Sequence, residues 1–148
     1  MFFVVSFYVF AQTRLERMMD SDIAKHKVFV YGTLMSGQPA VGLLQGGKFL
    51  SGAWLYGVMY DFGRFPAIRL GGSSKIKGEV WLVSDKCLAR LDRYEGEGRL
   101  YRRVADVCHD VEGVEIDCLV YEIIDAPATA SIVDSGDWAR HIRQWNEC

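Results

Sequence analysis

The strongest constraint on the fold is a succession of short β-forming runs, cut apart by glycine-rich turns, with one well-signalled helix among them. Residues 27–31 are rich in β-branched and aromatic side chains and read as a strand. Gly32 through Pro39 follow with turn chemistry. A weak helical or irregular stretch, Ala40–Gln45, ends at Gly46-Gly47. Strand-like runs come next at Lys48–Ala53, Trp54–Asp61 and Ala67–Leu70, then a turn at Gly71-Gly72-Ser73-Ser74 and another strand at Lys77–Val83. Ser84 is placed to cap a helix, with Asp85 favourable in its first turn. Leu88, Leu91 and Tyr94 recur at a spacing of three and predict one buried face, and Gly96 supplies a stop. Tyr101–His109 and Val114–Ile124 read as a hairpin turning at Glu112-Gly113, and Asp137–Trp145 as a short closing helix. Without internal repeat or linker, this pattern predicts an α+β domain built on a small curled sheet or barrel.

The 148 residues suffice for one domain with a real core, and half of them are apolar. A net charge of −2, with basic residues scattered singly or in small groups, gives no footprint for nucleic acid. The four cysteines make no C-x-x-C and have no histidine at metal-ligand spacing, so reduced thiols in a cytoplasmic protein are expected. A hairpin centred on Glu112-Gly113 sets Val107 opposite Cys118, which sends Cys108 and Cys118 to opposite faces of the sheet. The opening run Met1–Ala11 is too short to span a bilayer and lacks the basic flank of a signal peptide. An over-extended start, with Met18 or Met19 as initiator, is one reading; an extra strand or an arm for a partner is another. Residues 1–24 are therefore set apart as an extension of a domain at 25–148, and no membrane partner is expected.

Two segments carry the chemistry. In Tyr31-Gly32-Thr33-Leu34, Gly32 permits a sharp turn and close approach of a ligand, and successive N–H groups in such a turn converge on an anion. An ordinary strand-to-loop turn is the competing reading. In Leu91-Asp92-Arg93-Tyr94-Glu95-Gly96, Glu95 ends a helix against the negative end of its dipole, which raises a carboxyl pKa in the direction a general base needs. A solvated surface acid is the competing reading there, and Asp92 and Glu97 are rival acids. Gly42-x-x-x-x-Gly47-Lys48 mimics a phosphate loop, but Phe49 stands where serine or threonine would hold magnesium. His26, His109 and His141 share no spacing, and no G-x-S-x-G elbow is present.

The order of these features resembles the γ-glutamylcyclotransferase-like (AIG2-like) family, and within it the branch containing γ-glutamylamine cyclotransferase. The resemblance rests on Val28–Leu34, Arg64-Phe65-Pro66-Ala67, Gly78-Glu79-Val80, Leu91-Asp92-x-x-Glu95-Gly96 and Tyr101-x-Arg103, with a late Ser135-Gly136-Asp137-Trp138. It spans residues 27–145. It implies a small mixed β-barrel with flanking short helices. It further implies that backbone N–H groups of Tyr31, Gly32, Thr33 and Leu34 bind substrate, that Glu95 is the catalytic base, and that Tyr101 lines the same pocket. The implied reaction is an amide cleavage of transferase or lyase type, in which a γ-glutamyl amine or peptide gives 5-oxoproline and a free amine without metal or cofactor. A non-catalytic protein of the same fold that binds or senses a small ligand is the alternative. Trp54, Tyr56, Phe62 and Phe65 are candidates for shaping the leaving-group subsite, with core packing as their other reading. A monomer or weak homodimer is expected.

Overall fold

The computed structural model describes residues 2–147, with side chains from Tyr8 onward. The elements run α1 (Phe2–Asp22), β1 (Ala24–Val30), a 3₁₀ turn (Val41–Leu44), β2 (Lys48–Asp61), β3 (Pro66–Ser84), α2 (Asp85–Glu95), β4 (Tyr101–Asp110), β5 (Glu115–Ile123), β6 (Ser131–Ile132) and α3 (Trp138–Asn146). The sheet order β3-β1-β5-β4-β2 closes on itself because β2 also pairs with β3, giving a five-stranded barrel, with β6 added at the edge of β2. The barrel is mixed. β1 lies parallel to β5 (Val28 opposite Leu119), and the other pairings are antiparallel. Val28, Leu55, Ile68, Val80 and Val120 are fully buried, so apolar side chains from β1, β2, β3 and β5 fill one interior.

Two expected breaks are absent. Lys48–Asp61 is one continuous strand. The turn expected at Gly71–Ser74 is a bulge inside the 19-residue β3, since Tyr56 pairs with Lys75 while its neighbour Gly57 pairs with Leu70. Long strands bent at bulges let a few strands close a barrel. The extension is neither strand nor sheet edge: Phe2–Asp22 is a helix, exposed from Tyr8 through Asp20. It is tied to the body through Lys25, which bridges Asp20 (3.2 Å) and Asp85 (2.8 Å). No helix among the described residues is long and apolar enough to cross a membrane.

The hairpin register differs from expectation by one residue. Asp106, not Val107, lies opposite Cys118, so Cys108 and Cys118 share a face and are both buried. The cause is local. The Asp110 carboxylate accepts the N–H groups of Glu112 and Val114 (2.9 Å each), and Gly113 takes a positive φ of 83°. Those bonds favour a three-residue loop over a two-residue one, and each residue added to a hairpin loop shifts the register. The described cysteines, Cys87, Cys108 and Cys118, are free thiols; Cys148 lies outside the described residues.

Candidate active site

At the end of β1 the chain leaves the barrel and folds back at once. Met35 N–H donates to Gly32 O (3.1 Å), closing a tight turn, and Ala40 N–H donates to Thr33 O (2.8 Å). The N–H groups of Gly32, Thr33 and Leu34 reach no acceptor among the described residues, although Gly32 and Leu34 are buried. Unpaired N–H groups at buried positions are uncommon, and here they border a cavity. Gly32 is required for a reason the sequence did not suggest. Its φ is not positive, but a Cβ there would sit 2.5 Å from Pro66 Cγ. The glycine lets the loop lie flat against Pro66.

Helix α2 delivers the acid. Ser84 Oγ accepts Cys87 N–H (3.1 Å) at its start. At its end Gly96 is left-handed (φ 62°), and Glu97 N–H returns to Asp92 O (2.9 Å), a Schellman closure. Glu95 is thus the last helical residue, next to a sharp exit of the chain. Burial pushes its carboxyl up to about 7, and among the described residues no hydrogen bond or ion pair offsets that. Burial is the main cause of the rise. The rival acids are otherwise engaged. Asp92 pairs with Arg103 and accepts Tyr121 Oη–H (2.6 Å), while Glu97 is exposed.

Glu95, Tyr31, Gly32, Thr33, Leu34 and Tyr101 all border one cavity of about 240 Å³, together with Phe29, Val30, Phe65, Pro66, Tyr94, Leu100 and Tyr121. No lysine, arginine or histidine lines it. Its three buried tyrosines have their protons committed: Tyr31 to Tyr121 O (2.6 Å), Tyr101 to Pro66 O (2.9 Å) and Tyr121 to Asp92. Burial first, then the neighbouring Glu95 charge, raises the Tyr101 phenol; burial also dominates the rise at Tyr31 and Tyr121. An anion in this cavity would find backbone N–H groups as its main donors. No group of three or more histidine, cysteine or acidic side chains converges as a metal set among the described residues.

Several lining residues escaped sequence reading. Tyr94, expected on the buried helix face, is 46% exposed, and its hydroxyl lies 2.9 Å from Thr33 Oγ1 at the cavity rim. Its place beside Glu95 was the available signal. Tyr121 gave none, because it reads as one more strand aromatic. Of the four aromatics considered for a leaving-group subsite, only Phe65 lines the cavity, with Phe62 stacked on it. Trp54 and Tyr56 pack instead with His109, and Lys75 covers the Trp54 ring.

A family model described as gamma-glutamyl cyclotransferase, AIG2-like, matches residues 28–140. The chain belongs to this family. A "putative gamma-glutamylcyclotransferase" of Vibrio cholerae is 32% identical over 120 residues, covering 80% of this chain and 99% of the relative. The crystal structure of an uncharacterised protein of Pyrococcus horikoshii superposes with a TM-score of 0.66 at 28% identity, over 83% of this chain and 98% of that one. A mouse aig2-like protein shares the fold at a TM-score of 0.66 and 24% identity, over 76% of this chain and 90% of that one. The γ-glutamylcyclotransferase-like fold is the barrel described above, and the family match begins at Val28, beyond α1.

Proposed function

We propose that the protein is a cyclotransferase that converts a γ-glutamyl amine or peptide to 5-oxoproline and a free amine, with Glu95 as the general base. The observation that carries this reading is a half-buried carboxylate with a pKa near 7 and no partner among the described residues, sharing one cavity with a row of unpaired backbone N–H groups. Membership of the γ-glutamylcyclotransferase-like family supports the reaction class.

In this mechanism Glu95 takes a proton from the α-ammonium group of the glutamyl substrate. Its raised pKa brings it closer to that of the ammonium group than an ordinary carboxylate comes, so the transfer is less uphill. The freed amine attacks the γ-carbonyl carbon and closes a five-membered ring. The N–H groups of Gly32, Thr33 and Leu34 hold the α-carboxylate or the carbonyl oxygen as it gains charge. The bond to the leaving nitrogen then breaks. Glu95 shuttles two protons in turn from the attacking nitrogen to the leaving one, so that the amine departs as an ammonium and the carboxylate is restored. Attack within one molecule removes the entropic cost of assembling two reactants.

Incubating the purified protein with a panel of γ-glutamyl amines and peptides, and measuring 5-oxoproline by mass spectrometry, tests the reading. Release by the wild type and its loss in Glu95→Gln are expected. Release that survives the substitution removes Glu95 from the role of base. A wild type that binds these compounds but releases nothing identifies a ligand-binding protein instead.

A further inference from the structure

Glu79 does not line the cavity, yet its carboxylate makes three hydrogen bonds to Ser36 at the end of the cradle loop. It sits on β3 opposite Val30, the last residue of β1, at the point where the chain departs for the loop. Its Oε1 accepts Ser36 N–H at 3.1 Å. Its Oε2 accepts Ser36 N–H at 3.0 Å, Ser36 Oγ at 3.1 Å and Trp81 Nε1–H at 2.9 Å. Both oxygens of one carboxylate therefore act as acceptors, for donors that come from the loop and from its own strand. Trp81 is itself held edge-on by Phe49, with ring centroids 5.7 Å apart. That contact stiffens the support behind Oε2.

The neighbouring residue makes the approach possible. A Cβ at Gly78 would lie 2.3 Å from Val30 O and 2.5 Å from the Phe29 ring, so only glycine lets β3 lie this close beneath the end of β1. Gly78 and Glu79 thus act together, the first bringing the strands close and the second gripping the loop.

We propose that Glu79 is a positioning residue whose carboxylate clamps the Gly32–Ser36 loop and so holds the Gly32, Thr33 and Leu34 N–H groups at the cavity wall. This inference rests on the cyclotransferase reading. The loop has three backbone ties of its own, Met35 to Gly32, Gln38 to Met35 and Ala40 to Thr33. All of them curl the chain onto itself, and none anchors it to the barrel. Glu79 supplies that anchor through hydrogen bonds to a charged acceptor, which are stronger than neutral ones. A glutamine replaces it only in part. With its oxygen in the Oε2 position it keeps the Ser36 and Trp81 donors but loses the charge, and its NH₂ group then faces Ser36 N–H, donor against donor.

The test compares wild type, Glu79→Gln and Trp81→Phe by 5-oxoproline release against pH and by ¹⁵N amide resonances. In Glu79→Gln, kcat/KM is expected to fall about 10²-fold, the scale of a small misplacement of catalytic groups. The pH midpoint should stay at the wild-type value, because Glu79 does not touch Glu95, and the Gly32–Leu34 amide resonances should move. Trp81→Phe should cause a smaller loss in the same direction, and it carries the comparison if Glu79→Gln does not fold. Wild-type kcat/KM in Glu79→Gln overturns the proposal, as does a loss accompanied by a displaced pH midpoint. If the wild type releases no 5-oxoproline, the cyclotransferase reading fails separately. The clamp is then judged by the amides alone, and unmoved Gly32–Leu34 resonances in Glu79→Gln overturn it.

Discussion

The two walls of the cavity are built in opposite ways. The loop after β1 is held at every step: curled by its own backbone, pressed against Pro66 and gripped by Glu79. The Glu95 wall holds its backbone just as firmly, through the Schellman closure at Gly96, but leaves the carboxylate bare. A group that must bind an anion benefits from rigid donors that need no reorganisation. A group that must gain and lose protons benefits from the reverse, because any fixed partner would favour one protonation state. The acid that does have fixed partners, Asp92 with Arg103 and Tyr121, is for that reason poorly suited to act as a base.

Removing the bare acid should break this contrast most severely. Glu95→Gln is expected to lower kcat by about 10²–10⁴-fold, the usual contribution of a positioned base, as read by 5-oxoproline release. Next in size is a substitution on the rigid side. Gly32→Val should cost about 1–3 kcal/mol of stability through overpacking against Pro66, seen as a lowered urea midpoint, together with a large loss of activity.

The pH dependence sharpens the contrast further. A base titrating near 7 predicts that kcat/KM rises with pH through about 7. Stability should run the opposite way. The folded-state pKa of Glu95 lies above its ordinary value, so the fold is unpenalised at low pH and loses stability as pH rises from 4.5 through about 7. Glu95→Gln should consequently be more stable than wild type above pH 7, by about 3 kcal/mol at most, with the difference vanishing below 4.5. Thermal melts across this range check the sign. The smallest effect belongs to the rim: Tyr94→Phe removes one exposed hydrogen bond to Thr33, worth about 1 kcal/mol or less, and should change KM by a few-fold at most with kcat retained.

Much of this molecule was legible in the chain. The strand before Gly32, the capped helix from Ser84 to Gly96 and the hairpin were readable because each depends on residues a few positions apart. Boundaries set by non-local pairing were not. The continuity of β2 and β3 depends on their lying side by side, and a local turn signal at Gly71–Ser74 does not reveal that the strand resumes beyond it. The hairpin register hinged on the single carboxylate of Asp110. Tyr94 followed the spacing of Leu88 and Leu91 yet faces solvent, because the helix ends over the cavity and no longer over the core.

By itself, then, the sequence determined the strand before Gly32, the capped helix and the order of the residues that border the cavity, since helix caps, turn glycines and strand patterns act over short spans. The tertiary structure decided how those residues behave. It brought Glu79 to Ser36 across 43 positions, set Pro66 against Gly32, engaged Asp92 with Arg103, and half-buried Glu95 without a partner among the described residues. Burial and partnership are properties of neighbours in space, and only barrel closure assigns those neighbours.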